Sequence, residues 1–216
     1  MAKFLEERSS RPDQVEVNRA VIRALDPRPG ERLLESGSGT GILCRLAAAG
    51  VSPGGRITGV DISIDFARTA RAAEDAATAI AYTVGRAEAL PYPDGCFDGA
   101  WAARTLLHVP DPPAVLREMR RVTRQDGRVV LADWDFDTLA VDHPNRGLTR
   151  RLLSWRSDHH GGNNWSGRQL FRHAVNAGLR QVTVFPLVSV ACDERSALTQ
   201  SLWRAAEVAR DGGAIT

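Results

Sequence analysis

Between Pro12 and Leu25 the apolar side chains Val15, Val17, Ala20, Val21, Ala24 and Leu25 recur mostly at helical spacing, and the run stops at D-P-R-P-G. This spacing predicts an N-terminal helix within a helical segment covering residues 1–30. Short β-branched or leucine-rich runs follow: R-L-L-E-S, R-I-T-G-V, I-A-Y-T-V, F-D-G-A-W-A-A and R-V-V-L-A-D-W. Stretches long enough for a helix separate them, and helices are expected over residues 41–49, 64–77, 112–123 and, as a short one, 86–90. Strand and helix alternate, which predicts an α/β fold. Its core is a Rossmann-like, doubly wound and mostly parallel sheet with helices on both faces, because parallel neighbours need a crossover that ordinarily contains a helix.

Beyond Asp133 the pattern loosens. Residues 136–166 read as an insertion, with one helix over about 145–158 and then a polar Gly/Asn turn. A helix at 168–177 stopped by Gly178, a strand Q-V-T-V-F-P-L-V-S-V and a last helix over 194–210 complete a single domain spanning residues 1–216. No sequence remains for a final antiparallel strand. Either the sequence is shortened, or the sheet lacks a strand, or it completes itself by pairing with a second copy in a homo-oligomer, since an uncovered sheet edge is a liability.

Composition narrows the class. With 28 basic against 26 acidic side chains the net charge is +2, which gives no electrostatic case for nucleic acid or an anionic membrane surface. No apolar run has the length of a signal peptide or a membrane span, and a cytoplasmic protein is expected. Cys44, Cys96 and Cys192 are odd in number and far apart, which indicates neither a disulfide framework nor a zinc site.

The chemistry concentrates in E-S-G-S-G-T-G, residues 35–41, where the first predicted strand turns into its helix. Ligands of such sheets bind at the carboxyl ends of the strands, and glycines there let the backbone approach a ligand closely. A phosphate-binding loop would continue with Lys and then Ser or Thr, where Ile42 and Leu43 stand. A dinucleotide site would space its glycines G-x-G-x-x-G, yet its second requirement, an acid about 20 residues on, is met by Asp61 at the end of I-T-G-V-D. That carboxylate can accept from both hydroxyls of a ribose. Its alternative role is an N-cap, which Ser63 also fits.

With these features and the run G-R-A-E-A-L-P-Y-P-D-G-C-F-D-G-A-W-A-A-R-T-L-L-H-V-P-D-P-P at residues 85–113, continuing to Asp135, the chain resembles the class I S-adenosylmethionine-dependent methyltransferases. Within them it is similar to the ubiquinone/menaquinone-biosynthesis type (methyltransferase type 11). The resemblance covers residues 33–135 well and the remainder loosely. It implies S-adenosylmethionine as cofactor. Gly37, Ser38 and Gly39 would line the methionine moiety with Glu35 near its ammonium, Asp61 and Ile62 would hold ribose and adenine, and Ala87 and Glu88 would border the adenine.

Two positions depart from the pattern. Relatives carry Asp after the glycine at position 85, where this chain has Arg86, and a guanidinium has no acceptor for the adenine amino group. After the fourth strand, Ala102 and Ala103 replace a polar residue before Arg104, which either faces the cofactor's carboxylate or lies on the surface. Asp133, Asp135 and Asp137 alternate but find no acid after the fourth strand, and no metal is expected.

The resemblance further implies methyl transfer to a small molecule, a natural product or a quinone-like compound, with residues 136–166 as a cap over the substrate. His143, His159 and His160 are acid/base candidates, His159 and His160 before the others because Trp155 and Trp165 could wall an aromatic acceptor, with a solvated loop or helix end as their alternative; His108 is either a base or a helix or loop anchor. Two rival functions share these motifs: a cofactor-dependent cyclisation or decarboxylation on the same fold, and an inactive cofactor-binding homologue.

Overall fold

The computed structural model describes residues 1–74, 79–159, 161–194 and 196–215. Helices α1 (Ala2–Ser9) and α2 (Pro12–Leu25) precede the sheet. Pro12 suits the first turn of α2, where its missing N–H has no helical partner to lose, and Asp26 ends the helix in a left-handed conformation at φ 49°. There follow β1 (Arg32–Ser36), α3 (Ile42–Val51), β2 (Arg56–Asp61), α4 (Ile64–Ala72), β3 (Ile80–Val84), β4 (Phe97–Ala103), α5 (Pro112–Val122) and β5 (Thr123–Ala132). The five strands pair in the order β3-β2-β1-β4-β5 and every pair is parallel.

Alternate residues of the central strands point to opposite faces, and both faces are covered. Leu33, Ile57, Trp101 and Ala103 pack on one side with Val21, Leu25, Leu43, Ala47 and Val51 from α2 and α3. Leu34, Val60, Ala100 and Ala102 pack on the other with Val115, Leu116, Met119 and Val122 from α5. This is why R-L-L-E-S and F-D-G-A-W-A-A read as nearly continuous apolar runs. The chain crosses from one edge of the sheet to its centre between β3 and β4, so β1 has β2 on one side and β4 on the other. That switch point, at the carboxyl ends of β1 and β4, is where ligands of such sheets bind.

Three further helices follow: α6 (Arg146–His159), α7 (Ser166–Asn176) and α8 (Ala197–Asp211). No helix among the described residues is long and apolar enough to cross a membrane.

Two expected elements do not form. Residues 86–90 make a turn closed by an Arg86–Ala89 bridge, since Pro91 disfavours helical backbone at the residue before it. Residues 182–190 form no strand: Val184, Val188 and Val190 are 66, 83 and 73% exposed. Gln181 enters with φ 55°, and Pro186 lacks the N–H that a ladder needs. The β-branched composition there lacks the packing partners from which strand propensity derives. The end of the expected helix over 64–77 lies partly outside the described residues.

Candidate active site

The E-S-G-S-G-T-G turn leaves the end of β1 at the switch point. Gly37 takes φ 78°, and a Cβ there would overlap the Thr105 side chain. Thr105 Oγ1 reaches back to the Ser36 carbonyl oxygen at 3.2 Å, so the loops after β1 and β4 meet at a position only glycine fits. Gly39, at φ 53°, has open space where its Cβ would stand; Leu5 of α1 is the nearest neighbour at 3.9 Å. Arg45 holds α1 above the turn through Glu6 at 3.0 Å.

Both expected carboxylates stand at strand ends, and their environments differ. Asp61 accepts from the Gly39 and Ser63 backbone N–H groups, each at 2.8 Å. Ser63 itself caps α4 by accepting from Phe66 N, so Asp61 does not cap that helix and lies along the crevice wall. Beside it Ile62 is 65% exposed, an apolar side chain left for a flat ligand to cover. Glu35 is buried, 2% exposed, and its Oε2 accepts from the Cys44 thiol at 3.0 Å. Burial raises its carboxyl to about 7, against the opposing influence of the Cys44 hydrogen bond and the Arg104 charge.

Arg104 is held in the left-handed region at φ 57° while its N–H donates to the Ala132 carbonyl oxygen at 2.7 Å. Its guanidinium lies inward, with its pKa lowered first by burial and then by the Arg8 charge, and raised by Glu35 and Asp133. The surface alternative for this residue is excluded by that placement. Arg104 Nη1, Ser38 Oγ and Thr40 Oγ1 are buried on the crevice lining without a hydrogen-bond partner. Such groups are costly unless a ligand supplies the missing bonds.

Residues 34–131 match a family model described as a methyltransferase domain. This stretch is similar to the methyltransferase domain family. Over 82% of the chain it is 38% identical to an uncharacterised 37.1 kDa protein in transposon Tn4556 of Streptomyces fradiae, of which it covers 51%. Over 53% of the chain it is 37% identical to nocamycin O-methyltransferase of Saccharothrix syringae, covering 42% of that protein. The chain thus spans about half the length of the curated relatives it matches. Its fold is shared with a SAM-dependent methyltransferase from Aquifex aeolicus, at 16% identity and a TM-score of 0.65 over 87% of this chain and 93% of that one.

Within the matched stretch, Arg86, Ala87 and Glu88 line the crevice with Asp61. Arg86 pairs with Glu88 at 3.2 Å. Ala103 is buried beneath Arg104. On the opposite wall Asp133, at the carboxyl end of β5, accepts from Leu107 N at 2.8 Å, Ser166 Oγ at 2.9 Å and Trp134 N at 2.9 Å. Burial raises Asp133 to about 6. The Leu107 carbonyl oxygen in turn accepts from Asn163 N at 2.7 Å. The Gly/Asn turn and the loop after β4 are thereby locked together, and His108 is the next residue in that loop.

His108 lines the crevice, and partial desolvation followed by the Arg8 charge holds its pKa below the usual histidine value. His159 also lines the crevice; its ring stacks on Trp155 with centroids 4.8 Å apart, and its Nδ1 meets the Trp155 carbonyl oxygen at 2.8 Å. A carbonyl only accepts, so Nδ1 carries the hydrogen and Nε2 is the basic nitrogen of the neutral ring. Trp165 lies apart from the crevice lining, half-exposed beneath the Arg168 guanidinium. His160 lies outside the described residues. Among the described residues no group of three His, Cys, Asp or Glu comes together as a metal site.

Thr105 and Asp133 line the candidate site and Cys44 bonds to its Glu35, none of them singled out as such by the sequence: Asp133 is read there only as a possible metal ligand, Cys44 only as a lone thiol, and Thr105 not at all. Asp133 had a legible signal, since it ends a strand at the ligand-binding edge of the sheet. Cys44 had a weaker one, an interior position on the first turn of the helix that follows the glycines.

Proposed function

We propose that this chain transfers the methyl group of S-adenosylmethionine to a small molecule. One observation supports this most: two carboxylates on neighbouring strand ends, Glu35 and Asp61, flank a glycine backbone whose lining carries the unpartnered Ser38, Thr40 and Arg104 groups. An amino acid joined to a nucleoside supplies the complement, an ammonium for Glu35, a carboxylate for Arg104 and a ribose for Asp61. Ile62 and Ala87 then face the adenine. Glu88 is the acceptor for its amino group, and Arg86 orients Glu88 by the ion pair, replacing the Asp found in relatives.

When bound, the sulfonium supplies an activated methyl and its own leaving group, so the protein contributes alignment and exclusion of water. The residue we assign to deprotonating a hydroxyl acceptor is His108. It is largely neutral at pH 7, and the backbone of Leu107 before it is held by Asp133 and Asn163, which steadies the loop that carries it. His159 presents its Nε2 from the end of α6, at an exposed position. Residues 136–166 serve as the acceptor cap, with Trp134, Phe136 and Trp155 on the crevice side. The natural-product O-methyltransferase among the relatives supports an oxygen acceptor. Three free cysteines fit a reducing, cytoplasmic compartment.

Calorimetry with S-adenosylmethionine tests the reading. The wild type binds; Asp61→Ala, which removes charged hydrogen bonds worth about 1.5–3 kcal/mol each, weakens binding by at least about 100-fold. Equal affinities for the two proteins would refute the ribose assignment. Failure to label any small molecule from a methyl-labelled cofactor, despite tight binding, would favour a non-methylating reaction.

A further inference from the structure

Arg156, on α6 within the cap, is 1% exposed. No acidic side chain among the described residues balances it, and burial alone governs its titration. Its single hydrogen bond runs from Nη2 to Ser201 Oγ on α8 at 3.1 Å. Nε and Nη1 are buried with no partner among the described residues. The guanidinium carbon lies over the Phe136 ring, 4.3 Å from its centroid, and the residue belongs to the crevice lining together with Trp134, Phe136 and Trp155. Phe136 also stacks with Trp134 at 6.0 Å.

A buried cation held by one neutral hydroxyl and one ring is under-satisfied, because guanidinium presents five donors and a full charge. The contact with Phe136 offsets part of that cost. Four of the five N–H groups remain, and the second Nη2 hydrogen with the N–H beside it forms one fork of the geometry that matches a planar oxyanion. The same patch carries aromatic faces suited to a flat body.

We propose that Arg156 is the anion-recognising residue of the acceptor pocket, and that the acceptor is a flat, largely apolar molecule bearing one oxyanion, a carboxylate or a phosphate. This rests on the acceptor-cap reading of residues 136–166 given above. The anion sits on Arg156, the flat body against Phe136 and Trp134, and the methyl-accepting atom on the cofactor side.

The test uses the full chain saturated with S-adenosylhomocysteine and titrates three probes: 2-naphthoate, 2-naphthyl phosphate and the neutral 2-naphthamide. The wild type binds one of the two anions at least tenfold more tightly than the amide, and which anion it prefers identifies the oxyanion. Arg156→Met binds all three alike, and its unfolding temperature without ligand equals or exceeds that of the wild type. Arg156→Lys, a second variant that keeps the charge without the fork, retains a reduced preference. Absence of any anion preference in the wild type, a comparison that needs no variant, overturns the proposal. A preference that survives in Arg156→Met does so equally. Failure of S-adenosylhomocysteine to bind would strike the methyltransferase reading instead, and the same titrations without it still report on Arg156.

Discussion

Glu35→Gln separates the energetics of the empty site from those of the occupied one. In the ligand-free chain burial raises the Glu35 carboxyl from 4.5 to about 7. The unfolded chain keeps the ordinary value, so the folded state holds the extra proton between those limits. This group's stabilising contribution is complete below pH 4.5 and is lost as pH rises through 7. Worked through the two values, the loss between pH 5 and 8 is about 2.5 kcal/mol, or roughly 5 to 10 °C in unfolding temperature. Asp133, raised to about 6, acts with the same sign at lower pH but is common to both proteins. The wild-type unfolding temperature minus that of Glu35→Gln therefore isolates Glu35 and should fall by that amount across pH 5 to 8.

Binding adds a second readout. A ligand ammonium favours the ionised carboxyl, so binding expels the proton wherever the free group is protonated. Affinity for S-adenosylhomocysteine rises by up to about tenfold per pH unit from 5 to 7 and levels off above, with proton release visible by calorimetry in buffers of different ionisation enthalpy. In Glu35→Gln it is weaker and flat. A temperature difference constant across this range, or an affinity that ignores pH, would refute the assignment of a buried, ligand-facing carboxyl.

Gly37→Ala puts a Cβ against Thr105 at positive φ and should cost roughly 2 to 3 kcal/mol, read as a lowered unfolding temperature that Thr105→Ala partly restores. Glu31 binds Arg128 at 2.6 and 2.7 Å, while Arg128 also donates to the Leu25 and Asp26 carbonyl oxygens; Glu31→Gln should lower stability by about 1 to 2 kcal/mol at pH 7. Because the Arg128 hydrogen bond holds the Glu31 carboxyl below its ordinary value of 4.5, the wild-type advantage persists above that pH and disappears as pH falls through the folded value; acid titration of the two proteins checks this. His108→Ala should reduce kcat on a hydroxyl acceptor by about 100-fold or more with little change in cofactor affinity, and single-turnover labelling distinguishes this from a loss of binding.

The doubly wound core was legible because strands buried on both faces leave apolar runs, while the intervening helices leave a 3.6-residue period with caps. Pro12–Leu25 was read to the residue. The strand expected at 181–190 failed because its pattern is local whereas strand formation depends on a neighbour, and Pro186 weakens any ladder there. Glu35 and Asp61 were legible from strand ends and glycine spacing. Arg156 carried no such signal: its meaning depends on which acids are absent around it in space, and a helix rich in arginines reads as solvated.

The strand order β3-β2-β1-β4-β5 has a consequence for the growing chain. Glu35 and Asp61 leave the ribosome together on β1 and β2, but the Thr105 and Arg104 wall belongs to the loop after β4, made later and paired to β1 across a long sequence separation. A nascent chain halted after β3 owns both carboxylates and no closed site. On the proposed function, a nucleoside cofactor would therefore stabilise only molecules whose fourth strand has inserted beside the first.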